Sequence, residues 1–254
     1  PVQVGWLGFP GTSGLSQMDY LFLDRYLTPT TPDLITEKAL LSRGTTVCFS
    51  EIEDVPITSV IPEKKRGYLT LGTLNNSYKM TRRTIWRWAS VLKKLPTAQF
   101  LLVRREFESH FLRENIHKEF ERAGVSKNRI HFYNNHLVNR FYLDCYNEID
   151  FTLDTFPVTG GTTTTDALWM GVPVVGLEGP NIHQRVCSAI LQHAGHPEWI
   201  ARSDEEFLEI ALKIAEDQEQ RIRLRHSLRQ EILSSPLCNS AQFAEDFSNS
   251  MMKA

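Results

Sequence analysis

Beyond residue 67 the chain repeats one pattern: a short apolar run, a polar or glycine-containing junction, then an amphipathic stretch. Runs at 68–72, 100–104, 129–133, 151–154 and 174–177 are each separated by residues with helical spacing. Strands that alternate with helices are joined by crossovers, so they lie parallel, and a parallel sheet needs helices on both faces. The pattern therefore predicts an open α/β layer structure. The helix after the first run is the clearest case: Ile85, Trp88, Ala89 and Leu92 fall at i, i+3, i+4 and i+7, Thr81 stands at the N-cap, and Pro96 closes it. Its tryptophans are expected in the core. Further helices are predicted over 108–122, 138–146, 182–193, 204–216, 218–233 and 242–251, the first of them stopped by Gly124.

Before residue 67 the rhythm weakens. Residues 2–7 and 18–23 read as strands, and the first runs into the glycine-rich Gly8-Phe9-Pro10-Gly11-Thr12-Ser13-Gly14. After Pro29 and Pro32 a short helix is predicted, starting near Asp33 with ITEKALL as its body. Residues 51–66 hold Pro56, Pro62, an acidic cluster and Lys64-Lys65-Arg66 without any sustained period, and read as a linker between two domains.

With 254 residues, 41% of them hydrophobic, and a formal net charge of −2, the chain has room for one large domain or one domain plus a piece of another. That balance excludes a general nucleic-acid footprint, and Arg82-Arg83 reads as a solvated face. No apolar run reaches membrane-spanning length, so no membrane partner is expected. Cys48, Cys145, Cys187 and Cys238 are far apart and form no CxxC pair, which points to a reducing, cytoplasmic setting.

The chemistry concentrates in LDTFPVTGGTTTTDALWMGVPVV, residues 153–175. An apolar strand enters a loop in which Gly160 and Gly161 permit tight turns, and Thr162 to Thr165 stand where a helix would begin. The first N–H groups of a helix lack internal partners and carry the positive end of its dipole, so such a junction can hold a phosphate; a plain strand-to-helix turn is the alternative. Ligands of open parallel sheets bind beyond the carboxyl ends of the strands. Those positions hold Asn75-Asn76-Ser77-Tyr78-Lys79, Arg104-Arg105 and the Gly and Thr loop, a set that suits a diphosphate. Asp166, one turn into the helix, can accept from ribose hydroxyls, and His183 is the histidine placed nearest a ligand. There is no GxGxxG, no GxxxxGK[ST], no HExxH and no Asp-x-Asp, so nicotinamide cofactors, P-loop hydrolysis and a metal–diphosphate clamp are not expected. No metal and no cofactor are predicted.

Four segments in order, PVQVGWLGFPGTSGLSQMDY at 1–20, LGTLNNSYKM at 71–80, the 153–175 stretch and SSPLCN at 234–239, resemble the catalytic region of the O-linked N-acetylglucosamine transferase and SPINDLY family in its bacterial-type form. The resemblance implies a GT-B fold, two Rossmann-like domains facing across a cleft. It assigns 1–50 to the end of the N-terminal catalytic domain, 51–66 to the linker and 67–254 to the domain that holds the nucleotide sugar. It implies metal-independent, inverting transfer of N-acetylglucosamine from UDP-N-acetylglucosamine to protein Ser or Thr hydroxyls, with tetratricopeptide repeats ahead of the catalytic region. Lys79 is then the diphosphate lysine with Asn76 as its polar neighbour. Thr162 and Thr163 hold the phosphates, Asp166 the ribose, and Leu7, Gly8 and Pro10 line the sugar side of the cleft.

Two positions depart from the family pattern. Gly161 replaces a histidine seen in some members, leaving a backbone contact only, and Tyr142 stands where a histidine often lies beside the base, so it would stack on the base. The family's candidate base and acceptor-binding histidines lie upstream of Pro1, so the catalytic residue is unknown and the isolated chain is expected to transfer nothing. GDP-fucose as donor, in the manner of SPINDLY-type members, and a non-catalytic nucleotide-binding module are the alternatives.

Overall fold

The computed structural model describes residues 1–52, 55–133 and 142–254. A small parallel sheet comes first, with β1 (Val4–Gly5), β2 (Tyr20–Leu23) and β3 (Lys38–Leu41) in the order 1-2-3. β3 corrects the helix expected from ITEKALL. Pro32–Leu34 makes only a single 3-10 turn and Ile35 is already extended, after which Lys38 to Leu41 pair in register with Tyr20 to Leu23. Helix propensity of a few tenths of a kcal/mol per residue loses to a ladder that also buries Leu40.

Within the stretch read as a linker, the described residues Ile52, Val55 and Ile57 pack against the large core. Val55 and Ile61 are buried, Pro62–Arg66 forms a short helix (α1), and Glu63 N donates to Asp150 Oδ1 at 3.0 Å.

A six-stranded parallel sheet follows, built from β4 (Thr70–Thr73), β5 (Gln99–Val103), β6 (Ile130–Tyr133), β7 (Phe151–Leu153), β8 (Val174–Leu177) and β9 (Ile200–Ala201) in the order 6-5-4-7-8-9. β4, β7 and β8 are buried at every residue, as strands covered on both faces must be. The covering helices are α2 (Arg82–Lys94), α3 (His110–Arg122), α4 (Thr162–Trp169), α5 (Val186–Ala194), α6 (Asp204–Glu216) and α7 (Gln218–Leu233). The two-residue β9 carries no sequence pattern that would announce it.

Most expected helices appear at their predicted places, with local chemistry setting the ends. Thr81 Oγ1 accepts from Thr84 N to cap α2, and Ser109 caps α3 after a 3-10 turn has used Arg105–Glu108. The 182–193 stretch divides into a 3-10 turn, Ile182–Gln184, and α5. Of the helix expected over 138–146, residues 138–141 lie outside the described residues, and Tyr142–Glu148 is 3-10. The tryptophans of α2 divide as well. Trp88 is fully buried on the Ile85–Leu92 stripe, whereas Trp86, on the opposite face, is 49% exposed, which corrects its assignment to the core.

The last helix, α8 (Ser240–Met251), returns to the small sheet. Phe247 lies 4.9 Å from Trp6 and 5.3 Å from Phe22 between ring centroids. Polar contacts that join the small sheet's loops to the large unit include His193 Nε2 with Asp24 Oδ2 at 3.1 Å, Arg185 Nε donating to Tyr26 O at 2.9 Å, Thr30 N donating to Pro180 O at 3.1 Å, and Phe49 N donating to Leu237 O at 2.7 Å. The four cysteines form no disulfide, and Cys145 and Cys187 are buried. Among the described residues, no helix is long and apolar enough to cross a membrane.

Candidate functional site

The strand order decides where a ligand can sit. From β4 the chain moves outward to β5 and β6, then returns to β7 on the other side of β4 and moves outward again to β8 and β9. Connections therefore leave β4 and β7 in opposite directions, and a crevice opens beyond their carboxyl ends. The residues that follow these two strands meet there.

Asn75, two residues past β4, is buried, and its Nδ2 donates to Asp154 Oδ1 at 2.8 Å. A single 3-10 turn, Ser77–Lys79, then folds Lys79 back over it. Lys79 Nζ donates to Thr159 O at 3.0 Å and to Asn75 Oδ1 at 3.4 Å. An ammonium has three N–H groups, so one is left for a ligand. Burial pulls Lys79 below the ordinary lysine value, and the Asp154 carboxylate opposes that shift.

Asp154, the first residue after β7, is 3% exposed, and both its oxygens accept from Gly160 N at 2.9 Å. This bond closes the loop and requires a glycine at 160, where a Cβ would stand 2.6 Å from Thr164 Oγ1 and 2.8 Å from both Asp154 Oδ1 and Thr163 Oγ1. Thr159 is fixed in turn, its N and Oγ1 both donating to His183 O, at 3.0 and 3.1 Å. The loop so held delivers Gly161 as the N-cap of α4. Among the described residues, the amides of Gly161, Thr162 and Thr163 have no acceptor. They are unpaired donors at a helix start, an arrangement that can hold an anion.

The predicted site residues divide by place. Lys79, Gly161, Thr162 and Thr163 converge at the switch point. Thr162 is exposed, while Thr163 Oγ1 is given to Asn75 Oδ1 at 3.0 Å, which leaves Thr163 only its amide to offer. Arg104, at the end of β5, pairs with Glu106 at 3.3 Å, and its positive charge is felt at both Lys79 and Tyr142. His183 contributes its carbonyl to the loop, and burial holds its ring below the ordinary histidine value. Asn76 stands outside the network, its Oδ1 buried without a partner among the described residues.

Asp166 lies beneath this surface at 1% exposure. Tyr142 Oη donates to its Oδ2, Oδ1 is without a partner among the described residues, and burial raises its carboxyl to about 6. Tyr142 thus points its hydroxyl at the acid, and its own ionisation is pushed up by burial and by that neighbour. Leu7, Gly8 and Pro10 lie in the loop after β1, with Leu7 in the left-handed region at φ 59°. No hydrogen bond among the described residues joins them to the Lys79 network. Asp154 and Thr159 are site residues to which the sequence assigned no role, and Asn75, placed among the residues beyond the first strand, received none of its own. Their signal was available in part, since Asn75 and Asp154 both follow strand ends. No group of three or more His, Cys, Asp or Glu among the described residues is placed to hold a metal ion.

The family model for glycosyl transferase family 41 matches residues 58–247. A probable UDP-N-acetylglucosamine–peptide N-acetylglucosaminyltransferase SPINDLY of Petunia hybrida is 31% identical over 247 residues, 97% of this chain and 26% of that protein. The chain thus spans about a quarter of the length of the curated relatives it matches. The solved K341M mutant of the Thermobaculum terrenum O-GlcNAc transferase superposes on all of this chain and 48% of its own, with a TM-score of 0.88 at 31% identity. WaaG, a glycosyltransferase of lipopolysaccharide biosynthesis, shares the fold alone, at a TM-score of 0.52 and 15% identity over 96% of this chain and 64% of its own. The α/β fold is that of GT-B glycosyltransferases.

Proposed function

The chain belongs to glycosyl transferase family 41, and on that premise we propose that it is the nucleotide-sugar-binding part of a protein O-glycosyltransferase. UDP-N-acetylglucosamine is the donor on this reading, and Ser or Thr hydroxyls of proteins are the acceptors. One observation carries it: at a single switch point, a lysine with one uncommitted N–H meets three unpaired amides at a helix start. The names borne by the Petunia and Thermobaculum proteins support the choice of sugar.

The chemistry follows from where charge grows. As the bond between the sugar and the β-phosphate breaks, the diphosphate gains negative charge, and donors already fixed in place stabilise that charge without reorganising. Lys79 and the amides of Gly161, Thr162 and Thr163 are held by bonds to Thr159, Asn75 and Asp154, so their directions are set before the donor arrives. The protein's own donors would neutralise the leaving group, with Asp166 taking the ribose once the Tyr142 hydroxyl that covers it gives way, and an acceptor oxygen would enter from the opposite face of the sugar with inversion as its proton passes to a base of the facing catalytic domain. The partners implied are the acceptor protein, the facing catalytic domain and tetratricopeptide repeats.

A panel of UDP-N-acetylglucosamine and GDP-fucose, offered to the full-length protein with Ser- and Thr-containing peptides and read by product mass, tests the assignment. A mass gain of fucose would replace the donor, and no gain from either would end the reading. A charge-assisted bond is worth about 1.5–3 kcal/mol, so Lys79→Met should lower donor use by about ten- to 150-fold. Unchanged kinetics in that variant would remove Lys79 from the site.

A further inference from the structure

Asp154 contacts no group that reacts in the proposed transfer, yet the orientation of the Asn75 amide and the turn at Gly160 both trace back to it. It accepts from Gly160 N on both oxygens and from Asn75 Nδ2 at 2.8 Å, while its own carbonyl takes Trp88 Nε1 at 3.0 Å. A carboxylate ringed by donors can only accept, so it obliges Asn75 to turn its Nδ2 inward. The amide's Oδ1 must then face the other way, where it accepts from Lys79 Nζ and Thr163 Oγ1. The second acceptor on Lys79, Thr159 O, immediately precedes the Gly160 amide that Asp154 holds. Both acceptors that aim the ammonium are therefore oriented by one buried acid.

We propose that Asp154 is a positioning residue: by fixing the polarity of the Asn75 amide and the turn at Gly160, it sets the direction in which Lys79 presents its free N–H to an anion in the crevice. The inference rests on the nucleotide-sugar reading for its ligand and on the geometry alone for the aim of Lys79.

Electrostatics alone and positioning predict opposite signs. Taking a carboxylate away from beside an anion site should tighten the anion if charge is all that matters. Under positioning, Asp154→Asn weakens it. The side-chain amide introduced by Asp154→Asn, if it keeps Gly160 N on its oxygen, turns its NH₂ toward Asn75 Nδ2. Two donors cannot share that space, so Asn75 reverses and points its own donors at Lys79. The exchange of Asn75→Asp together with Asp154→Asn repairs this: the amide now at position 154 donates to the carboxylate now at position 75, whose other oxygen accepts from Lys79 and Thr163. One buried charge is kept, together with one bond from Gly160 N to position 154, the bond between positions 154 and 75, and those from Lys79 and Thr163 to position 75; only the second contact of Gly160 N with Oδ1 and the donation from position 75 to Thr73 Oγ1 are lost. The claim stands on this exchanged variant.

UDP affinity by calorimetry is the first readout, with thermal melts to show that each variant is folded. The expected results are a loss of at least about tenfold in Asp154→Asn and recovery to within about threefold of wild type in the exchange. Tighter binding in Asp154→Asn, or an exchange no better than that single variant, would overturn the proposal. The second readout needs no ligand: titration of Lys79 followed by carbon NMR of its labelled side chain. The ionisable groups around it are Asp154, the Cys187 thiol and Arg104. Its midpoint should fall in Asp154→Asn and return in the exchange. A midpoint that stays low in the exchange overturns the positioning role. A wild type that binds no UDP overturns the nucleotide-sugar reading instead, and the Lys79 titration still decides the role of Asp154.

Discussion

Asp166 offers a measurement in which sign and size both follow from its surroundings. Its carboxyl is raised from 3.8 to about 6, chiefly by burial, with the Tyr142 hydroxyl pulling the other way. The folded protein therefore holds a proton that the unfolded chain has already released between these two values, and stability falls as pH rises through that window. About two pH units at 1.36 kcal/mol each put the cost of the buried charge near 3 kcal/mol above pH 6. Asp166→Asn cannot titrate, so the difference between the two proteins isolates this residue. On going from pH 7 to pH 4 the wild type should gain about 2 kcal/mol on the variant, the remainder coming only below the unfolded value. Urea unfolding at four pH values measures it, with midpoints converted through a common slope. A flat difference curve, or one of opposite slope, would refute the burial argument. The proposed ribose role adds a second arm. Only the ionised acid accepts from two hydroxyls, so affinity for UDP-N-acetylglucosamine should rise about tenfold from pH 5 to pH 7. UDP itself is unsuitable for this arm, because its terminal phosphate titrates in the same range.

Two further substitutions test the frame around the site. Gly160→Ala would press a methyl to within 2.8 Å of Asp154 Oδ1 and Thr163 Oγ1, both already hydrogen-bonded. It should cost about 1–3 kcal/mol in urea unfolding and weaken UDP binding in parallel; wild-type values of both would show that the loop is not held as described. Asp24→Ala removes the 1%-exposed carboxylate that accepts from Tyr26 N, Leu27 N, Thr46 N and Thr46 Oγ1 and pairs with His193. With so many buried groups left unsatisfied it should cost about 3–5 kcal/mol, and a loss below about 1 kcal/mol would place the junction between the two sheets elsewhere.

The sequence by itself determined what is local. Apolar spacing named five of the six strands of the large sheet, and the predicted 204–216 and 218–233 are α6 and α7 to the residue, because Ser203 and Asp217 cap them within one turn. The Gly and Thr loop was legible as a helix start with unpaired N–H groups for the same reason, since such groups depend only on where a helix begins. Where local preference and long-range pairing disagreed, sequence reading failed, as at Lys38–Leu41, whose helical pattern yields to a ladder with β2. Only the tertiary structure decided that β7 lies beside β4, which brings Lys79 within 3.0 Å of the carbonyl of Thr159, 80 residues away. It alone made Asp154 an acceptor-only centre and selected Asn75 over its neighbour Asn76. Strand order and burial arise from contacts distant in sequence, and a buried acid and an exposed one are written with the same letter.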